Sequence, residues 1–154
     1  MVRVLVQSVR FLSCFLITKD DIIICDPEGE YFALVAALHG QVVKLATNSK
    51  DYLNPMDIQL SHKGDKEALK LKSDFVITLC DLIAGGKDGL ENDEKGIIDE
   101  CIRHIYDAYF ENPVPENMPI LEDLYNALLK HKNKKAERIA NSLVLYVHGS
   151  QKLF

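Results

Sequence analysis

The stretch Ile22–Tyr31, I-I-I-C-D-P-E-G-E-Y, decides how the amino-terminal part of the chain is read. Asp21 and Asp26 bracket four apolar residues, Ile22, Ile23, Ile24 and Cys25. A short apolar run bounded by polar residues fits a strand buried on both faces of a parallel sheet. Pro27-Glu28-Gly29-Glu30 then carries the chemistry of a turn. Tyr31 to His39 is helical by content, and Gly40 stands where a C-terminal cap belongs. Gln41 to Leu45 (Q-V-V-K-L) reads as a second short strand. Strand, helix and strand within about 25 residues make one βαβ unit, for which parallel pairing is the natural reading. The expected fold class at this end is therefore α/β.

Outward from this unit, residues 1–18 alternate Val2, Val4 and Val6 as a strand would, and Phe11–Ile17 fits a strand or a buried helix. Arg3, Gln7 and Arg10 interrupt the apolar stretch and argue against a secretory signal. On the other side, Asn48 to Gly64 is loop-like, with Asn54-Pro55 as its clearest breaker. Beyond it the period becomes helical. Phe75, Val76, Leu79, Leu82 and Ile83 fall on one face, as do Ile97, Ile98, Cys101, Ile102, Ile105, Tyr106 and Tyr109 on the next helix. Gly85-Gly86-Lys87-Asp88-Gly89 turns the chain between them. Pro113 and Pro115 end the second helix, and Pro119 suits the first turn of a third that carries Leu121, Leu124, Tyr125 and Leu128. Residues 136–147 form a fourth, with Ile139, Leu143 and Val147 in phase. The pattern predicts an α/β piece over residues 1–60 and an all-helical piece of four helices over residues 66–148.

Composition narrows the function. The 154 residues hold 18 Lys and Arg against 23 Asp and Glu, a net charge of −5, with 47% apolar and 27% charged residues. That balance fits a folded chain rather than a disordered one. Without a basic block, autonomous nucleic-acid binding is not expected. No apolar run approaches the roughly 20 residues of a membrane span. Cys14, Cys25, Cys80 and Cys101 show no C-x-x-C spacing, and the histidines show no metal spacing. The cysteines read as reduced core thiols of a cytoplasmic protein.

Few motifs carry chemistry. A phosphate loop needs G-x-x-x-x-G-K followed by Ser or Thr, so that backbone N–H groups cradle phosphate and the hydroxyl holds Mg²⁺. At the single Gly-Lys pair, Gly86-Lys87, Asp81 stands where the first Gly belongs and Asp88 follows the Lys. A carboxylate there repels phosphate, so the segment reads as a connecting turn. No G-x-G-x-x-G is present. Asp26 keeps two readings. It is an acid at a strand's C-terminal edge, placed to hold Mg²⁺ through water, or an Asp that opens a turn before a helix. Pro27 occupies the place of an adjacent catalytic Glu, and Glu28 follows. Lys130, Lys132, Lys134 and Lys135 form a basic cluster that reads as a nucleic-acid contact or as a solvated face near a helix end. Glu91, Asp93 and Glu94 suit the positive end of the second helix.

Seven strings in order resemble one family. They are Ile22–Tyr31, Gly40–Leu45 (G-Q-V-V-K-L), Asp51–Asp57 (D-Y-L-N-P-M-D), Lys72–Phe75 (K-S-D-F), Gly85–Gly89, Pro115–Tyr125 (P-E-N-M-P-I-L-E-D-L-Y) and Tyr146–Ser150 (Y-V-H-G-S). Together they resemble the conjugative-transfer ATPases of type IV secretion systems, the TraC- and TraE-like VirB ATPases of the HerA–FtsK superfamily. The resemblance implies a partial RecA-like P-loop NTPase core followed by a helical insertion. It places Asp26, Glu28 and Glu30 beside the nucleotide, with no catalytic residue or metal ligand in this chain. Full-length relatives bind ATP and Mg²⁺ and couple hydrolysis to transfer of DNA or pilus components. They assemble as homo-oligomers, expected to be hexamers, with secretion-channel proteins as partners, in the cytoplasm or at the inner face of the cell membrane.

The departures are informative. The family's phosphate-loop Lys and Ser would fall near residues 3–4, where this chain has Arg3 and Val4. The family's Mg²⁺-binding Asp and catalytic Glu would lie beyond Phe154. The chain thus reads as an internal piece of a motor domain that binds neither ATP nor Mg²⁺ tightly and does not hydrolyse ATP alone. The alternative is a helical interaction module that docks on other secretion subunits. A small unrelated enzyme has little support, because no nucleophile–base arrangement accompanies Glu28 and Glu30.

Overall fold

No strand forms among the described residues of the computed structural model, which are 13, 17, 22–44, 53–60 and 65–149. The chain divides into two units, Met1–Lys44 and Leu45–Phe154.

In the first unit the expected βαβ core is overturned. Neither Ile22–Asp26 nor Gln41–Lys44 is a strand, and no sheet joins them. A strand exists only where a hydrogen-bonded neighbour completes its ladder, and an apolar run alone does not supply one. The exposures agree: Ile23 is 95% exposed, and Val42 and Val43 are 44% and 46% exposed, where a doubly covered strand would hide them. With the sheet goes the reading of a partial RecA-like core. The strand readings of residues 1–18 lie outside the described residues, apart from Ser13 and Ile17, which are helical.

Helix α1 (Phe32–Ala37) is present, as content predicts. Its end differs in detail. His39 takes the left-handed φ of 56° expected of the capping glycine, and Gly40 donates its N–H to the Val35 carbonyl at 2.9 Å. A Cβ on Gly40 would stand 2.8 Å from Val35 Cγ1, so close approach of the chain is what requires glycine there.

The second unit holds the four helices expected from periodicity, α2 (Lys66–Ala84), α3 (Asn92–Glu111), α4 (Leu121–Lys130) and α5 (Lys134–Val147). Local chemistry fixes their starts. Asp65 accepts from the Ala68 N–H at 3.0 Å, Asn133 from the Lys135 N–H at 2.9 Å, and Asp123 reaches back to the Ile120 N–H at 2.9 Å. Each satisfies an amide with no partner inside its own helix. Helix α3 stops before Pro113, a single 3₁₀ turn spans Pro115–Asn117, and α4 begins two residues after Pro119.

Packing then joins them. Helix α2 lies against α3 and α5, and α4 lies against α3 and α5. Val76 and Cys80 of α2, Ile98, Ile102 and Tyr106 of α3, Leu124 and Leu128 of α4, and Ile139 and Leu143 of α5 are fully buried together. Met56 and Ile58 join this core from the 53–60 segment. Two groups hold that segment in place. Tyr106 donates its hydroxyl to the Met56 carbonyl, and Asn54 donates its side-chain N–H to the Pro119 carbonyl at 2.8 Å. Truncating a fully buried leucine such as Leu124 to alanine in a core of this kind costs about 2–5 kcal/mol.

Candidate functional site

Helix α2 is apolar on more than its inner side. Ser73, Val76, Cys80 and Ala84 are its buried residues. Leu71, Phe75 and Leu82 point outward, at 67%, 51% and 82% exposure. With Thr78 they are spaced four, three and four residues apart, which places them in one stripe along the helix. Isolated exposed leucines are ordinary, whereas large apolar side chains aligned on one face mark a contact surface. Periodicity predicts Phe75, Val76, Leu79, Leu82 and Ile83 on a single face. The structure splits them: Val76 is fully buried, Leu79 and Ile83 are half-buried, and Phe75 and Leu82 face outward.

The edges of the stripe differ in charge. On one edge Lys72 sits with its Nζ 4.9 Å from the centre of the Phe75 ring and donates to the Pro55 carbonyl at 3.1 Å. Partial burial holds its ammonium below the ordinary lysine value, and the nearby Asp57 opposes that shift. On the other edge Glu67 and Asp74, seven residues apart, are both exposed, and neither carboxylate forms an ion pair among the described residues.

The carboxylates expected beside a nucleotide stand elsewhere, in the first unit. Asp26 Oδ1 accepts from the Gly29 N–H at 2.9 Å and Oδ2 from the Tyr31 N–H at 2.8 Å. The Tyr31 amide is the main cause that holds this carboxyl below its ordinary value. Asp26 thus closes the turn that leads into α1, the second of its two sequence readings. Glu28 and Glu30 are exposed on the same turn. Residues 26–31 include three acids and no cation, and two of their amides are already occupied, so the turn does not fit a triphosphate.

The Gly85–Gly89 segment is a helix connection, as its residues imply. Gly86 and Gly89 take φ values of 67° and 76°, and a Cβ on Gly85 would lie 2.5 Å from the Asp81 carbonyl oxygen. Asp81 Oδ1 accepts from the Leu90 N–H across the turn. Lys135 from the basic cluster is structural: its ammonium meets Glu91 and Asp93, each at 2.6 Å. Lys130, Lys132 and Lys134 remain exposed. Sequence reasoning missed the Lys135 partners because they lie more than forty positions away.

A shallow cleft of about 440 Å³ is lined by Asn54, Asp57, Ile58, Tyr109, Pro113, Pro115, Met118 and Ile120. Asp57 is the one charged residue in that lining, and no base–nucleophile pair occurs there. Among the described residues no group of three or more His, Cys, Asp or Glu is placed to hold a metal ion, and no helix is long and apolar enough to cross a membrane.

No protein-family model matches the chain, and no curated protein or solved structure matches it either.

Proposed function

We propose that this chain works by contact. Its helical unit docks through the outward face of α2 onto other subunits of a conjugation or type IV secretion apparatus, as a relative of the motor ATPases of that apparatus. The observation that carries the docking reading is the stripe of Leu71, Phe75 and Leu82, exposed on a helix whose opposite side is already packed. Apolar area left in water on a rigid element favours association at about 25 cal/mol per Å² once covered, less the entropy of binding. The link to secretion motors rests on the seven ordered strings, and the docking reading stands without them.

In this reading the partners are motor subunits or channel proteins, met in the cytoplasm or at the inner face of the cell membrane. ATP and Mg²⁺ belong to the full-length relatives, and this chain alone binds neither tightly and does not hydrolyse ATP. The test is biolayer interferometry of the full chain against a purified conjugation ATPase, with a Mg·ATP turnover assay on the chain alone. Saturable binding that is lost in the Phe75→Glu/Leu82→Glu double variant is expected. Equal binding by both forms, or turnover above background, would refute the proposal.

A further inference from the structure

We infer that the cleft at the end of α3 is a second binding site, separate from the α2 stripe, for a partner segment that presents an apolar side chain next to a Lys or Arg. The cleft, of about 440 Å³, takes its apolar lining from Ile58, Met118, Ile120 and two prolines, and its polar groups from Asn54, Asp57 and Tyr109. No residue of the Leu71, Phe75 and Leu82 stripe lines it. The hollow is held ready. Tyr106 donates its hydroxyl to the Met56 carbonyl and Asn54 its side-chain N–H to the Pro119 carbonyl at 2.8 Å, so the two walls are tied to α3 and to each other. Tyr109 lies one helical turn beyond Tyr106 and is 9% exposed. Its hydroxyl makes no hydrogen bond among the described residues, and it is not sealed from solvent. A tyrosine buried to this degree normally satisfies its O–H. Here the hydroxyl left over belongs to a residue that lines the cleft, where a carbonyl of a bound segment would satisfy it.

Charge then chooses the occupant. The walls are built from residues 53–60 and 109–120, which carry Asp57, Glu111 and Glu116 and no Lys, Arg or His. None of these three acids forms an ion pair among the described residues. Lys72 reaches this side from α2 and feels the charge of Asp57, with its ammonium held on the Pro55 carbonyl at 3.1 Å. One lysine against three acids leaves the site negative. A cation beside an apolar anchor answers both features: the anchor fills the hollow, and the cation meets Asp57. Because the cleft is shallow, a free small molecule would stay largely in water, whereas small-ligand sites enclose about 70–90% of their ligand. A segment of a larger protein gains further contacts along the rim.

The test is ¹H–¹⁵N NMR of the full ¹⁵N-labelled chain, titrated with three capped hexapeptides that are identical except for Leu-Arg, Leu-Gln or Leu-Glu at the centre. The Leu-Arg peptide should shift the amides of residues 57–58 and 109–118. It should bind about twofold to fivefold more tightly than Leu-Gln at low salt, the range one exposed charge pair supplies, with Leu-Glu the weakest. Asp57→Asn should remove most of that preference. Tyr109→Phe, which keeps the ring, should weaken all three by about threefold to tenfold, the worth of one hydrogen bond. Equal binding of the three peptides overturns the cationic occupant. Shifts confined to residues 71–82, or binding that both Asp57→Asn and Tyr109→Phe leave unchanged, overturn the site. So does the absence of any shift at about 10 mM peptide, which would populate a site of millimolar affinity. Sedimentation as a dimer that Tyr109→Phe dissociates would place a second copy of the chain in the cleft and overturn the assigned partner.

Discussion

Arg138 of α5 closes over Glu94 of α3, placing both Nε and Nη2 on the single oxygen Oε1, at 3.1 and 2.6 Å. The other oxygen of Glu94 accepts from the Glu91 N–H at 2.9 Å, and Arg138 Nη1 donates to the Ala84 carbonyl at 2.9 Å. One guanidinium therefore ties together the end of α2, the start of α3 and the first turns of α5. Glu94 is 4% exposed, so its charge depends on these partners. Burial pulls its carboxyl pKa upward. The Arg138 hydrogen bond, the Glu91 amide and the charges of Arg138 and Lys135 outweigh that pull, and the net displacement is downward.

Arg138→Ala is expected to destabilise the helical unit by about 2 kcal/mol, because it leaves a buried carboxylate without its cation. The figure is set below the 3–5 kcal/mol of a fully buried pair, since the Arg138 side chain is half exposed. Urea denaturation of the two proteins measures it. An Arg138→Ala/Glu94→Gln double variant should recover part of the loss, because the stranded charge is then gone.

Acid should weaken the same junction. Glu94 and Asp93 titrate below their ordinary values of 4.5 and 3.8, Asp93 chiefly through its hydrogen bond from Lys135. A carboxyl whose folded pKa is depressed stabilises the fold above its unfolded value and loses that contribution as pH falls through the folded one. Stability from these two acids should hold down to about pH 4.5 and decline below it. Thermal melts of wild type and Glu94→Gln from pH 7 to pH 2.5 provide the check. The two melting temperatures should converge as pH drops, and a constant separation would contradict the linkage.

The described cysteines should differ sharply in reactivity. Burial pushes the Cys80 thiol up to about 12, and burial with the charge of Glu100 pushes Cys101 up to about 11, while Cys25 is exposed. The thiolate is the nucleophile, so both buried thiols are doubly protected, by access and by protonation. Under native conditions at pH 8, N-ethylmaleimide should modify Cys25 within minutes, and Cys80 and Cys101 only when denaturant is added. Peptide mapping by mass spectrometry resolves the three sites.

Tyr106→Phe tests the anchor of the 53–60 segment. It keeps the buried ring and deletes the hydroxyl that serves the Met56 carbonyl. The expected cost is about 1–2 kcal/mol, that of leaving one buried acceptor unpaired. Hydrogen exchange should rise locally at residues 56–58. A uniform rise across all four helices would instead mean that the hydroxyl supports the whole core.

In the turn between α2 and α3, glycine matters for two separate reasons. Gly86→Ala meets no neighbour and is strained only by its φ of 67°, so a loss of about 1 kcal/mol is expected. Gly85→Ala drives a Cβ to 2.5 Å from the backbone oxygen of Asp81 and should lose more. Reversal of that order in chemical denaturation would show that conformation, not contact, governs the turn.

The four helices of residues 66–148 are legible in the order of the amino acids alone. The apolar spacing of α3 through α5, the acids and amides at their starts and the prolines between α3 and α4 are local signals, and the structure places these helices within a few residues of where such signals put them. The acids before α3 were legible as complements to its dipole. Their role as an anchor for Lys135 and Arg138 was not, because no short-range pattern joins residues 44 positions apart. That Ile22–Asp26 is no strand emerges from the fold, because a strand is defined by its hydrogen-bonded neighbour and not by its own composition. The fold also decided which side of α2 faces outward. The polar sector of α2, with Glu67, Lys70, Asp74 and Asp81, leaves an apolar sector wider than one packed face, and packing against α3 and α5 chooses which of its residues are hidden and which are left for contact.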